Sequence, residues 1–268
     1  MPVLRPSGLK RKTITLLAAV GTAACAAQDA QPVLIVYAAS SLQDAVLDVS
    51  RSYRRAGGDS LVFVFGSTTE LSEQIANGAP ADLLLAADAQ TIDRLSSRHV
   101  IVDSSQVVFA RGQLALVSHC QLSTPRECPA LPISALASPT IRFVAMANPA
   151  YAPYGVAARQ ALERSGLWKT VESRVVMAAN VAQVEQFVSS GNADAGFVAV
   201  SLVARKERRT FTIIDSSLHD PLQHSAAVIR ASNNVEASLR FLQFVLGDSA
   251  QAILATYGFA SPDSMHRQ

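Results

Sequence analysis

The sequence predicts an α/β protein made of two doubly wound lobes with a ligand cleft between them. Three observations carry this prediction. Short apolar, strand-like runs alternate with segments of helical periodicity along almost the whole chain. The alternation falls into two successive blocks, which implies two parallel sheets with helices on both faces. The length, 268 residues, suits two lobes of ordinary size better than one very large core.

The first block opens with Val33 to Ala39 (VLIVYAA), a continuous apolar run of the kind a buried parallel strand requires. Ser41 to Arg55 then places Leu42, Ala45, Val46, Val49 and Tyr53 on one helical face, and Gly57-Gly58 ends that helix. Leu61 to Phe65 is the second strand. Thr69 to Asn77 is a helix stopped by Gly78 and Pro80. Asp82 to Ala87 is the third strand, and Ala89 to Ser97 the third helix.

The second block repeats the rhythm. Leu114 to Ser118 and Ile141 to Met146 read as strands, followed by a helix from Val156 to Ser165 that Gly166 ends. Val175 to Ala178 is a strand, and Val181 to Ser190 a helix ended by Gly191. Ala195 to Val200 and Phe211 to Ile214 are further strands. Ala226 to Arg230 returns to the first lobe, and Val235 to Leu246 and Ser249 to Tyr257 are closing helices. The predicted lobes are residues 31-111 plus 222-268, and residues 112-221.

Residues 1-26 differ in kind. Lys10, Arg11 and Lys12 precede an apolar stretch from Thr13 to Ala24, which is too short to span a bilayer comfortably; small residues follow. This is the layout of a secretory signal peptide and implies a periplasmic location. Two endings are open. Cys25 could carry a lipid anchor, or cleavage could follow Ala26. Removing the segment takes Arg5, Lys10, Arg11 and Lys12 with it and turns a net charge of +2 to about −2.

No basic stripe suited to nucleic acid is present, and the run Arg205, Lys206, Arg208, Arg209 reads as a solvated helix end. In an oxidising compartment Cys120 and Cys128, flanking Pro125, are expected to form a disulfide that closes a short loop. The alternative is two free thiols. Without neighbouring histidines they make a poor zinc site.

Four strand-to-helix turns share a character: Ala38-Ala39-Ser40-Ser41-Leu42, Phe65-Gly66-Ser67-Thr68-Thr69, Asn148-Pro149-Ala150-Tyr151-Ala152-Pro153-Tyr154-Gly155 and Ala178-Ala179-Asn180-Val181. Each offers hydroxyls, amides or small residues, and none contains Lys, Arg, Asp or Glu. One such turn is an ordinary N-cap. Four aimed at one cleft would converge several helix N-termini, whose free N–H groups and partial positive charge bind anions. A site of donors alone favours a fully deprotonated oxyanion, because a protonated one also needs an acceptor. Asp44 and Glu70 lie just downstream and read as residues of exposed helix faces. Asp82 and Asp88 read as structural caps.

These turns, with Gly78-Ala79-Pro80-Ala81-Asp82, Gly196-Phe197-Val198-Ala199 and Tyr257-Gly258-Phe259, resemble the periplasmic molybdate-binding proteins of ABC transporters, the ModA type. The resemblance runs over nearly the whole mature chain. It implies a periplasmic-binding-protein type II fold with two crossover strands, and a molybdate or tungstate held by hydroxyls and backbone N–H groups. Carried over by position, Ser40 and Ser41, and Ser67 and Thr68, supply the first-lobe donors, while Tyr154 and Val181 donate backbone N–H groups from the second lobe. Threonine at 68 adds a methyl where relatives commonly have serine. Ala199 cannot supply the phenol that one branch of the family uses, and the Ala-Pro-Tyr-Gly turn matches a branch with alanine there. The resemblance further implies a monomer, no cofactor, no direct metal ligation and a membrane permease as partner.

The alternative is another small anion, sulfate, phosphate or an organic anion, in the same fold. A secreted enzyme is disfavoured. Beyond residues 1-26 the chain lacks Gly-x-Ser-x-Gly, Ser-x-x-Lys and His-Glu-x-x-His patterns, and none of His99, His119, His219, His224 and His266 falls in the four turns. The histidines read as surface or satisfied polar positions.

Overall fold

The computed structural model describes residues 1–2, 32–119, 130–206 and 210–262. Residues 3-26 of the signal segment, with Cys25, and the Cys120–Cys128 pair, Arg208, Arg209 and His266 lie outside the described residues.

Among the described residues, ten strands form two five-stranded sheets. The first contains β1 (Val33–Ala39), β2 (Ser60–Gly66), β3 (Leu83–Ala86), β4 (Val107–Gly112) and β10 (Leu222–Val228), in the order β2-β1-β3-β10-β4. The second contains β5 (Leu114–Ser118), β6 (Val144–Ala147), β7 (Val175–Ala178), β8 (Ala195–Ala199) and β9 (Thr212–Ile213), in the order β7-β6-β8-β5-β9. The two orders are the same pattern used twice. They define a two-lobed α/β fold.

The sheets are mixed, which corrects the expectation of parallel ones. β10 runs antiparallel to β3 and β4, and β5 runs antiparallel to β8 and β9. β4 passes directly into β5 through Gln113, and β10 follows the second sheet without a crossover helix. A strand that enters extended, with no helix to turn it round, joins its sheet in the opposite sense. β4 itself carried no strong sequence signal, because Arg111 and Gly112 interrupt its apolar run.

The helices are α1 (Gln43–Arg55), α2 (Thr68–Ala76), α3 (Ala89–Ser97), α4 (Pro153–Arg164), α5 (Trp168–Val171), α6 (Val181–Ser189), α7 (Val235–Leu246) and α8 (Asp248–Thr256). α1 buries Ala45, Val46, Val49 and Tyr53, the face that its 3.6-residue period predicts. Gly57 (φ 85°) and Gly78 (φ 93°) stand just beyond α1 and α2 in the left-handed conformation that closes a helix. Two helix starts differ from the sequence expectation. Ser40–Leu42 forms a 3-10 turn before α1. α4 begins at Pro153 and not at Val156, since proline at a first helical position forfeits no intrahelical bond. The Ala-Pro-Tyr-Gly turn is therefore the first turn of the helix itself.

Among the described residues, no helix is long and apolar enough to cross a membrane.

Candidate functional site

The carboxyl ends of β1, β2 and β3 and those of β6 and β7 face each other, as open α/β sheets dictate. Ala39, Ser40, Ser41, Gly66, Ser67, Thr68 and Ala87 from the first lobe meet Ala152, Pro153, Tyr154, Asn180 and Val181 from the second. They enclose about 190 Å³, mouth included. All six residues expected to bind the ligand line this space, and all six are buried. Among the described residues, no Lys, Arg, Asp or Glu lines it.

Each hydroxyl has a different engagement. Thr68 Oγ1 accepts the Ala87 N–H at 3.1 Å. An oxygen lone pair is thereby occupied while the hydroxyl proton stays available to donate. Ser41 Oγ lies 3.1 Å from His224 Nε2. Ser67 Oγ donates to Glu70 Oε2 at 2.7 Å, so its one donor is already used. Glu70 is exposed on α2, as expected, and its carboxylate also closes the first turn of that helix.

The second lobe supplies helix starts. Asn180 caps α6 by accepting the Gln183 N–H at 3.1 Å, which places Val181 at the first helical position. Gly155 lets α4 start against the end of β6, because a Cβ there would lie 2.2 Å from the Ala147 carbonyl oxygen. The first turns of α4 and α6 thus direct backbone N–H groups and dipole ends at the enclosed space.

The sequence places His224 among surface or satisfied polar positions, and the structure corrects this: on β10 it is a buried polar ring in the run Leu222-Gln223-His224-Ser225-Ala226-Ala227-Val228. Its ring is fully buried and packs on Phe109, Tyr154 and Phe259, at centroid distances of 6.2, 6.0 and 5.0 Å. Burial pushes its pKa down to about 4, with the Leu222 carbonyl tempering the shift slightly. Burial also drives the Tyr154 phenol well above its ordinary value, against a smaller opposing effect of the Ser41 hydroxyl. His224 Nδ1 and Tyr154 Oη make no hydrogen bond of ordinary geometry among the described residues, beyond the weak influence of the Leu222 carbonyl and the Ser41 hydroxyl. Gly112 fits beside them because it has no side chain: a Cβ there would lie 2.1 Å from Tyr154 Oη and 2.6 Å from His224 Cε1.

The lobes also bond to each other at the rim. Ser201 Oγ donates to the Ser41 carbonyl at 2.5 Å, and the Thr69 N–H donates to the Tyr151 carbonyl at 3.1 Å. Arg205 donates to Asp48 at 2.7 Å and to Tyr257 at 2.8 Å, and stacks over the Tyr257 ring. Lys206 pairs with Glu185 at 2.8 Å. Arg205 and Lys206 are exposed after the short helical turn Val200–Leu202, as the charge run suggested, and each also makes an ion pair.

Asp88 caps α3 by accepting the Thr91 N–H at 2.6 Å, as expected. Asp82 caps no helix. It accepts the Ile35 N–H at 2.7 Å and holds Ser232 and Asn234 at 2.5 and 3.2 Å, tying β1 to the loop before α7.

A family model described as bacterial extracellular solute-binding protein matches residues 34–260. The molybdate-binding protein ModA of Azotobacter vinelandii is 31% identical over 242 residues, covering 89% of this chain and 93% of that protein. The protein of the same name from Rhodobacter capsulatus is 26% identical over 228 residues, covering 85% and 88%. The solved structure of the Azotobacter vinelandii periplasmic molybdate-binding protein superposes with a TM-score of 0.80 at 26% identity, covering 86% of this chain and 100% of that one. The class is thus a two-lobed bacterial solute-binding protein. Within that class, the chain belongs to the ModA family of molybdate-binding proteins.

Proposed function

We propose that the protein captures molybdate or tungstate in the interlobe space and delivers it to the permease of an ABC importer. The supporting observation is the lining. Buried hydroxyls and helix N-termini converge there, with no cation or carboxylate among the described lining residues, and the Thr68 oxygen already accepts a backbone N–H. Charge-assisted bonds from such donors are about twice as strong as neutral ones, so a desolvated dianion can be held without a basic side chain. Ser41, Thr68 and the backbone N–H groups of Tyr154 and Val181 are the ligands in this proposal, with Ser40 beside Ser41. Ser67 holds the turn through Glu70. The interlobe bonds of Ser201 and Arg205 close the second lobe over the anion and exclude water. The protein acts as an exported, periplasmic monomer, either lipid-anchored at Cys25 or freed by cleavage after Ala26, and as a carrier rather than an enzyme.

A thermal-shift panel with molybdate, tungstate, sulfate and phosphate, followed by calorimetry, tests the proposal. A ligand at 100 times its Kd adds about 2.7 kcal/mol of stability. No shift with either metal oxyanion would overturn the assignment, and a shift with sulfate alone would move it to sulfate.

A further inference from the structure

His224 is the one ionisable side chain without solvent exposure among the described residues, and it bonds directly to a hydroxyl of the anion site. The ring is enclosed by Phe109, Tyr154 and Phe259, so a neutral imidazole with a single proton is the form the site accommodates. That proton has two places to sit. On Nδ1 it makes no hydrogen bond of ordinary geometry and has only a weak interaction with the Leu222 carbonyl, and a poorly satisfied buried N–H is costly. On Nε2 it meets Ser41 Oγ at 3.1 Å.

We propose that His224 is a positioning residue of the anion site: its Nε2–H donates to Ser41 Oγ and turns the Ser41 hydroxyl proton toward the ligand. Ala87 does the same for Thr68 through a backbone N–H at 3.1 Å. The two first-lobe hydroxyls then have one arrangement in common: each oxygen accepts from the protein and each proton faces the cleft. An oxyanion finds donors already aimed, and no hydroxyl has to reorient when it binds. The opposite tautomer would draw the Ser41 proton onto the ring and present the anion with lone pairs. The assignment rests on the oxyanion function proposed above.

The test combines spectroscopy on the wild type with two substitutions. In protein labelled with 15N in its histidines, the His224 resonances report which ring nitrogen carries the proton, with and without sodium molybdate. Protonated Nε2 in the molybdate-bound protein is expected, and protonated Nδ1 overturns the proposal. By calorimetry, His224→Leu should weaken molybdate binding about tenfold, the loss of one bond that orients a donor. His224→Gln carries an N–H at a similar reach and should recover most of that affinity. A purely structural role for the ring predicts equal losses in both variants, which would overturn the proposal, as would unchanged affinity in His224→Leu. If the leucine variant does not fold, the tautomer in the wild type decides alone. Failure of the oxyanion function itself is distinguishable: the unsubstituted protein would then bind no molybdate.

Discussion

Acidification between about pH 6.5 and pH 4 should remove stability through one imidazole. The fully buried His224 holds a pKa of about 4 in the folded protein, against 6.5 when exposed on unfolding. In that window the unfolded chain binds a proton that the folded protein refuses. Stability therefore rises with pH across the window and falls as pH drops through it. The 2.5-unit difference corresponds to about 3 kcal/mol, acquired at up to about 1.4 kcal/mol per pH unit. Below pH 4 the folded form also takes the proton and this contribution stops growing. The carboxylates act in a different range. Asp48 is lowered chiefly by the Tyr257 hydroxyl, Asp215 by the Ser217 backbone N–H, and Asp220 by Arg164. Their stabilisation is present above their ordinary value of 3.8 and is lost only as pH falls below it. Denaturant titrations of the ligand-free protein at intervals from pH 8 to pH 4, repeated on His224→Gln, isolate the term. The variant should show a curve flatter by about one proton. Equal slopes for the two proteins across this window would refute the claim that His224 is buried neutral.

Three other outcomes follow from the site. Ser41→Ala and Thr68→Val each remove a donor to a desolvated anion and should weaken molybdate binding by about 1.5–3 kcal/mol in calorimetry; unchanged affinity in both would place the site elsewhere. Gly112→Ala puts a methyl 2.1 Å from Tyr154 Oη and should destabilise the fold by about 1–3 kcal/mol, read as a lower denaturation midpoint; a wild-type midpoint would mean that the crossover strand yields freely. Arg205→Ala breaks the bonds to Asp48 and Tyr257 at the rim, so stopped-flow should show faster ligand release, with a smaller effect than Ser41→Ala because the pair is exposed.

Much of this molecule was legible in one dimension. The apolar run of β1 and the 3.6-residue face of α1 follow from local periodicity, which is a property of the chain before it folds. The four turns were visible for the same reason, since hydroxyls and small residues before a helix mark an N-terminus wherever it ends up. What each hydroxyl does was not legible. Ser67 and Thr68 are neighbours in sequence with the same chemistry, yet Ser67 donates to Glu70 while Thr68 accepts from Ala87, nineteen residues away. The sense of β5 and β10 depended on whether the connection between lobes contains a helix, and no strand pattern records that. His224 is the clearest case. It stands 183 residues from Ser41 and its neighbours in sequence carry no sign of the contact. Only the return of the chain through β10 encloses its ring among aromatic side chains, strips it of water and sets its nitrogen against the site. Periodicity and turn chemistry are local and survive in the sequence; a hydrogen bond's partner and a pKa depend on what the fold brings alongside, and those the tertiary structure decided.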